Sequence, residues 1–150
     1  SILPCRGRVQ DTFIVVMGDH LTNVNIKKML ESHKNSGCIA TLWLKRMGVP
    51  LEYGVAHVSQ NGQVEKFLEK PIVQNLVNTG VYAFEPAIYG YISEKDDFAM
   101  HVFPKLLSQK KPINSYMFDS YWMDIGRMED YEHINKTISI MDVVLGREQK

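Results

Sequence analysis

Apolar residues fall along this chain in short blocks separated by Gly, Pro, Asn and Asp, and the spacing inside each block predicts its conformation. Phe13 to Met17 is an unbroken apolar run closed by Gly18-Asp19-His20, which reads as a strand buried on both faces. From roughly Val24 to Ser36, Ile26, Met29, Leu30 and His33 recur at helical spacing, with Thr22 or Asn23 as the cap and Gly37 as the stop. Cys38 to Leu44 is a second apolar run, expected as a strand beside the first in a right-handed strand–helix–strand unit. A loop over Gly48 to Glu52 leads into a short strand at Tyr53-Gly54-Val55. Asn61-Gly62 marks a tight hairpin turn with positive φ at both central positions, and Val64 to Glu69 returns as the partner strand, ending at Lys70-Pro71.

The second half continues in the same manner. Leu76 to Phe84 is a strand interrupted by Asn78-Thr79-Gly80, and Gly inside a strand marks a bulge or a close approach to the backbone. Glu85-Pro86 opens a short helix through Ile92. Asp96-Asp97 starts another, whose apolar face is Phe98, Val102, Leu106 and Leu107 and which Pro104 bends or restarts. Ile113 to Phe118 is a strand, followed by Tyr121-Trp122-Met123-Asp124-Ile125-Gly126. A long helix from about Met128 presents Tyr131, Ile134, Ile138, Met141 and Leu145, with Glu129-Asp130 favourably placed against its dipole. The alternation predicts an α/β fold with a mostly parallel sheet and one inserted β-hairpin.

Composition narrows the function classes. The 150 residues fit one domain with a real core, and 17 basic against 17 acidic residues leave no net charge. That balance argues against a chain built to grip nucleic acid or an anionic membrane. No apolar run has the length of a bilayer span, and the start has no signal-peptide pattern. Cys5 and Cys38 stand far apart without metal or redox spacing, as reduced thiols in a cytoplasmic protein do. The histidines show no metal-ligand spacing, and His33 reads as a helix-face residue. The opening, Ser1 to Asp11, is irregular, yet a core strand follows at once, as if the chain begins in mid-fold.

Candidate chemistry collects where strands end. Ligands of open α/β sheets bind beyond the carboxyl ends of the strands. Asp19 and Asp124 each follow a strand-like run and stand close to a Gly. Each can be a simple turn or cap. Converging on one sheet edge, the two carboxylates match what Mg²⁺ takes when substrate phosphates and water complete its shell. Glu69-Lys70-Pro71 ends a hairpin strand with a compact cation suited to phosphate and a carboxylate suited to hydroxyls, or else with a solvated pair. Asn78-Thr79-Gly80 offers an amide and an accessible backbone to a polyhydroxylated ligand, or is only a bulge. Tyr53-Gly54 either flanks the same ligand or enters a loop.

Taken in order, Val-Met-Gly-Asp19, Tyr53-Gly54-Val55, Phe67-Leu-Glu69-Lys70-Pro71, Asn78-Thr-Gly80-Val-Tyr and Tyr-Trp122-Met-Asp124-Ile-Gly126 resemble the sugar nucleotidyltransferases. These are the nucleoside-diphosphate-sugar pyrophosphorylases, including glucose-1-phosphate thymidylyltransferase and mannose-1-phosphate guanylyltransferase. The resemblance runs from about Phe13 to Asn135. It implies a Rossmann-like, GT-A-like domain that joins a nucleoside triphosphate (NTP) to a sugar 1-phosphate and releases pyrophosphate. It further implies that Asp19 and Asp124 hold Mg²⁺ and that Lys70 pairs with the sugar phosphate. Glu69 and Asn78 would bond sugar hydroxyls, with Tyr53, the Gly54 backbone and Thr79 contributing, and Trp122 would pack beneath the metal loop.

The family's opening strand and its Gly-x-Gly-Thr-Arg-Leu signature have no match here; Arg6-Gly7-Arg8 has no preceding strand. The expectation is therefore that residues 1–150 are the C-terminal part of a single nucleotidyltransferase domain, incomplete at the N-terminus. They would carry its sugar-phosphate and metal half and be inactive alone. The open apolar edge would lead either to a homo-oligomer or to association with the missing N-terminal segment. The alternative is a catalytically inactive sugar-phosphate-binding or regulatory homologue. A glycosyltransferase of similar fold explains Glu69-Lys70-Pro71 less well.

Overall fold

The computed structural model describes residues 2–117 and 121–144, with side chains as far as residue 137. The elements run β1 (Phe13–Val16), β2 (His20–Thr22), α1 (Ile26–Ser36), β3 (Ala40–Pro50), β4 (Val55–Val58), β5 (Val64–Leu68), β6 (Ile72–Phe84), α2 (Phe103–Ser108), β7 (Ile113–Met117), β8 (Trp122–Asp124) and α3 (Met128–Val144). A four-stranded sheet is ordered β1-β6-β3-β7. β6 is antiparallel to both β1 and β3, and β7 is parallel to β3. Thus β1, β3 and β7 run one way and β6 alone runs against them. This is the α/β arrangement the sequence predicts, with β4 and β5 as the inserted hairpin.

Two strand placements differ from expectation. β6 lies between β1 and β3, so the two apolar runs are not neighbours. It is also β6, not β1, that is buried on both faces: residues 79–84 are all buried. Val81 and Ala83 face a cluster with Met29 and Trp43. Tyr82 and Phe84 face one with Ile88, Val102, Phe103 and Leu106. This is strand alternation with an apolar layer on each side. β1 pairs only with β6 among the described residues, and Val16 is 47% exposed. An apolar run measures how greasy a strand is, not how many partners it has.

Local chemistry explains the ends of elements. Asn25, rather than Thr22 or Asn23, caps α1, its side chain accepting from the Lys28 N–H, which is worth about 1 kcal/mol. Thr22 is engaged elsewhere, donating to the Tyr121 carbonyl and accepting from the Val24 N–H. Gly37, with φ 62°, terminates α1 in the left-handed region as expected. β3 continues through the predicted loop to Pro50, because Gly48 and Pro50 are paired to Gln74 and Ile72 of β6. Of the turn pair Asn61-Gly62, only Gly62 has positive φ, 85°. Its N–H donates to the Ser59 carbonyl, so the turn begins earlier than Asn61-Gly62 alone indicates.

Pro86–Gly90 forms a 3₁₀ turn, and Asp97 caps a wide turn over Phe98–Val102 that runs into α2 at Pro104. Phe98, Val102 and Leu106 pack inward as predicted, but Leu107 is 62% exposed. On α3, Ile134 is buried and Tyr131 is 50% exposed. Phe118 and Leu145, with the side chains at 138 and 141, lie outside the described residues. His33 lies on the buried face of α1 with Met29, as its spacing predicts: it is 1% exposed and joins Thr41 Oγ1 through Nδ1 (2.7 Å) and Glu85 Oε1 through Nε2 (3.0 Å). No described helix is long and apolar enough to cross a membrane.

Candidate metal and substrate site

The site begins at a bulge. β6 and β3 pair in register as far as Leu42↔Tyr82 and resume at Leu44↔Asn78, leaving Thr79, Gly80 and Val81 opposite Trp43. Gly80 sits at φ 71°, a conformation open to Gly at little cost. The bulge is tied on three sides. Thr79 Oγ1 donates to the Trp43 carbonyl, the Thr79 carbonyl accepts from Trp122 Nε1, and the Gly80 carbonyl accepts from the Met17 N–H. The end of β1 and the start of β8 are thereby held to one point on β6.

A second, smaller ladder then sets the carboxylates. β2 and β8 pair antiparallel, with His20 opposite Asp124, Leu21 opposite Met123 and Thr22 opposite Trp122. The Ile125 N–H donates to the Asp19 carbonyl at 2.8 Å. The far end is clamped by the Tyr121 N–H donating to Asn23 Oδ1, beside the Thr22–Tyr121 bond. Residues a hundred positions apart are thus in register. Ligand atoms of Asp19, His20 and Asp124 lie within 4.8 Å of one another.

Both aspartates are half exposed, at 58% and 56% of their side chains, whereas His20 is 12% exposed. The Gly126 N–H donates to Asp124 Oδ1 at 2.8 Å and orients that carboxylate. A Cβ on Gly126 would stand 3.0 Å from Asp124 Oδ1 and 3.7 Å from Asp19 Oδ2, filling the space the two carboxylates share. Two like charges this close repel by roughly 1 kcal/mol even under bulk-water screening. A divalent cation removes that repulsion. Two carboxylates with open positions around them fit a hard, oxygen-seeking cation that keeps water or phosphate in its remaining sites.

The other expected residues form two further groups. Asn78 is exposed beside the bulge; its Nδ2 donates to Tyr82 Oη and its Oδ1 accepts from the Gly80 N–H. Burial raises the Tyr82 phenol above its ordinary pKa, against the hydrogen bond from Asn78, and the charge of Asp97 raises it further. Tyr53, Gly54, Glu69 and Lys70 belong to the hairpin. Gly54 is packed so tightly there that a Cβ would come 2.4 Å from the Phe67 ring and 2.9 Å from Glu69 Oε2. Tyr53 is 80% exposed. Lys70 and Asn78 are separated along the chain by the first half of β6 (Ile72–Phe84), at about 3.3 Å of rise per residue.

Thr79 has no exposed surface and its hydroxyl donates inside the fold, so its side chain shapes the bulge. Sequence reasoning singles out Asp19, as a turn or a metal ligand, and passes over His20 beside it. The available signal was its position directly after a strand-end aspartate.

Comparison with known proteins now bears on this geometry. A family model described as nucleotidyl transferase matches residues 5–139. UTP--glucose-1-phosphate uridylyltransferase of Synechocystis sp. is 36% identical over 129 residues, covering 81% of this chain and 33% of that protein. Mannose-1-phosphate guanylyltransferase 1 of Arabidopsis thaliana is 32% identical over 125 residues, covering 81% of this chain and 34% of that protein. The chain therefore spans about a third of the length of these relatives. Among solved structures, HddC from Yersinia pseudotuberculosis aligns with a TM-score of 0.65 at 21% identity, over 91% of this chain and 60% of that one. At that identity the likeness bears on the fold alone.

Proposed function

The chain belongs to the nucleotidyl transferase family, and from that premise we propose that it is the sugar-phosphate- and metal-binding part of an enzyme joining an NTP to a sugar 1-phosphate. The observation carrying the reading is the β2–β8 register, which brings Asp19 and Asp124 into one ligand set at the strand ends. Relatives named uridylyl-, guanylyl- and adenylyltransferases of glucose or mannose 1-phosphate support the substrate class. In the proposed reaction a phosphate oxygen of the sugar attacks the α-phosphorus and pyrophosphate leaves.

Asp19 and Asp124 would hold Mg²⁺, which neutralises phosphate charge and templates the reacting groups. Lys70 would pair with the sugar phosphate. It is the one described residue between the hairpin and β6 with a left-handed backbone, φ 43°, directly before a proline. Such strain in a non-glycine residue costs on the order of 1–3 kcal/mol and collects at functional positions. Glu69 and Asn78 would bond hydroxyls, with Tyr53 and the Gly54 backbone flanking them. The free thiols of Cys5 and Cys38 support placement in the cytoplasm.

Asp124→Asn tests the reading. It is expected to weaken Mg²⁺-dependent binding of a sugar nucleotide by at least an order of magnitude while changing stability by about 1 kcal/mol or less, since the carboxylate is exposed. Calorimetric titration with and without Mg²⁺ measures the first effect and thermal unfolding the second. Equal affinity of wild type and variant in Mg²⁺ refutes the metal-ligand role.

A further inference from the structure

The two carboxylates leave His20 without a role, although it is the most confined side chain of the group. Its ring stands edge-on to Trp122, with 5.5 Å between centroids. It also closes on Gly80, where a Cβ would be 2.3 Å from both Cε1 and Nδ1. Nδ1 is buried with no hydrogen-bond partner among the described residues. Nε2 lies 3.6 Å from Asp19 Oδ1 and 3.9 Å from Asp124 Oδ2. A histidine that ligates a metal almost always donates its other ring N–H to an acceptor. Nδ1 has no such acceptor, and orphaned buried N–H donors are rarer than under-satisfied acceptors. In the tautomer that leaves Nδ1 as the unpaired acceptor, the Nε2 proton faces the carboxylates.

We infer that His20 is a positioning residue of the metal site. Its Nε2–H reaches the Asp19 and Asp124 carboxylates from the protein side and fixes their orientation toward a shared divalent cation, without itself ligating the ion. The inference rests on the metal-binding reading above. Both Nε2–oxygen separations are longer than a hydrogen bond and fall within ion-pair range. Gly80 supplies the slot that admits the ring.

Mn²⁺ is a suitable probe because binding and ligand identity are both read from its electron spin. His20→Ala is expected to weaken Mn²⁺ binding to the chain by about 10–100-fold. His20→Gln, whose amide N–H stands near the Nε2 position, should restore most of that loss. Spin-echo spectra of Mn²⁺ on the wild type should show no directly bonded nitrogen, and this measurement does not depend on a variant folding. A nitrogen coupling on the wild type overturns the inference by making His20 a ligand. Unchanged Mn²⁺ affinity in His20→Ala, or no recovery in a folded His20→Gln, also overturns it. Failure of Mn²⁺ to bind the wild type removes the metal-binding reading itself and the inference with it.

Discussion

Replacing Gly80 by alanine should damage the fold more than any other single methyl added to a turn glycine of this chain. Two costs combine. The residue sits at φ 71°, where an L side chain loses about 1–2 kcal/mol. The new Cβ would also be placed 2.3 Å from the His20 ring and 2.8 Å from Met17 Cγ. His20 is backed by Trp122, and the Met17 N–H is bonded to the Gly80 carbonyl, so neither neighbour withdraws freely. Forcing a methyl into a filled site of this kind costs typically 1–3 kcal/mol. The sum, about 2–5 kcal/mol, is a large share of a small domain's stability. Gly62→Ala supplies the control: φ is 85° but nothing lies within 4 Å, so only the backbone cost applies. Urea unfolding of the two variants should therefore differ by about 1–3 kcal/mol at similar slope. A Gly80→Ala variant no less stable than Gly62→Ala refutes the claim that the bulge glycine is required by the packing of His20.

Two further outcomes are expected. Lys70→Ala should weaken a sugar 1-phosphate far more than the corresponding free sugar, because the lost contact is to phosphate; an equal loss for both ligands, by calorimetry, refutes that pairing. Thr12→Val removes the donor that does most to hold the Glu85 carboxyl below its ordinary range, with His33 and Lys34 adding to the effect and burial opposing it. A lowered carboxyl stabilises the fold above its ordinary value of 4.5 and loses that contribution as pH falls through the lower folded value. Wild type should thus exceed Thr12→Val at neutral pH by on the order of 1 kcal/mol, modest because the carboxylate is 41% exposed. The gap should narrow as pH falls below 4.5, and a gap constant with pH in thermal unfolding counts against the mechanism.

The features that were legible in the sequence are those carried by local pattern. The apolar runs became strands, Gly37 stopped α1, Asp97 capped the turn before Pro104, and Gly80 marked a bulge. What stayed hidden depends on pairing between distant segments. His20-Leu21-Thr22 and Trp122-Met123-Asp124 are too short to show alternation, and each becomes a strand only because the other lies opposite. β3 extends through Gly48 to Pro50 for the same reason, tertiary pairing overriding weak propensity. The place of His33 on the α1 face was legible, but its partners, Thr41 and Glu85, were not, because they come from other elements. Asp19 and Asp124 were legible as candidates through their strand-end positions, whereas the inward turn of Thr79 was not, because sequence does not say which way a bulged side chain turns.

The bulge also decides how function and stability divide between residues. Asp19 and Asp124 project from the fold, more than half exposed, and each can change charge without disturbing a packed neighbour. Thr79 and Gly80 are buried and connect the β2–β8 ladder to Trp43 in the core through a hydroxyl, and to Trp122 and Met17 through their carbonyls. Substitutions at the carboxylates should therefore separate binding from folding, while substitutions in the bulge should lose both together. Since Thr79 Oγ1 donates to a buried carbonyl, Thr79→Val would leave that acceptor unpaired while keeping the side chain's shape. The site is thus placed by β6 and carried by β2 and β8. The buried end of β6 fixes the position, and two short, partly buried strands carry the candidate carboxylates.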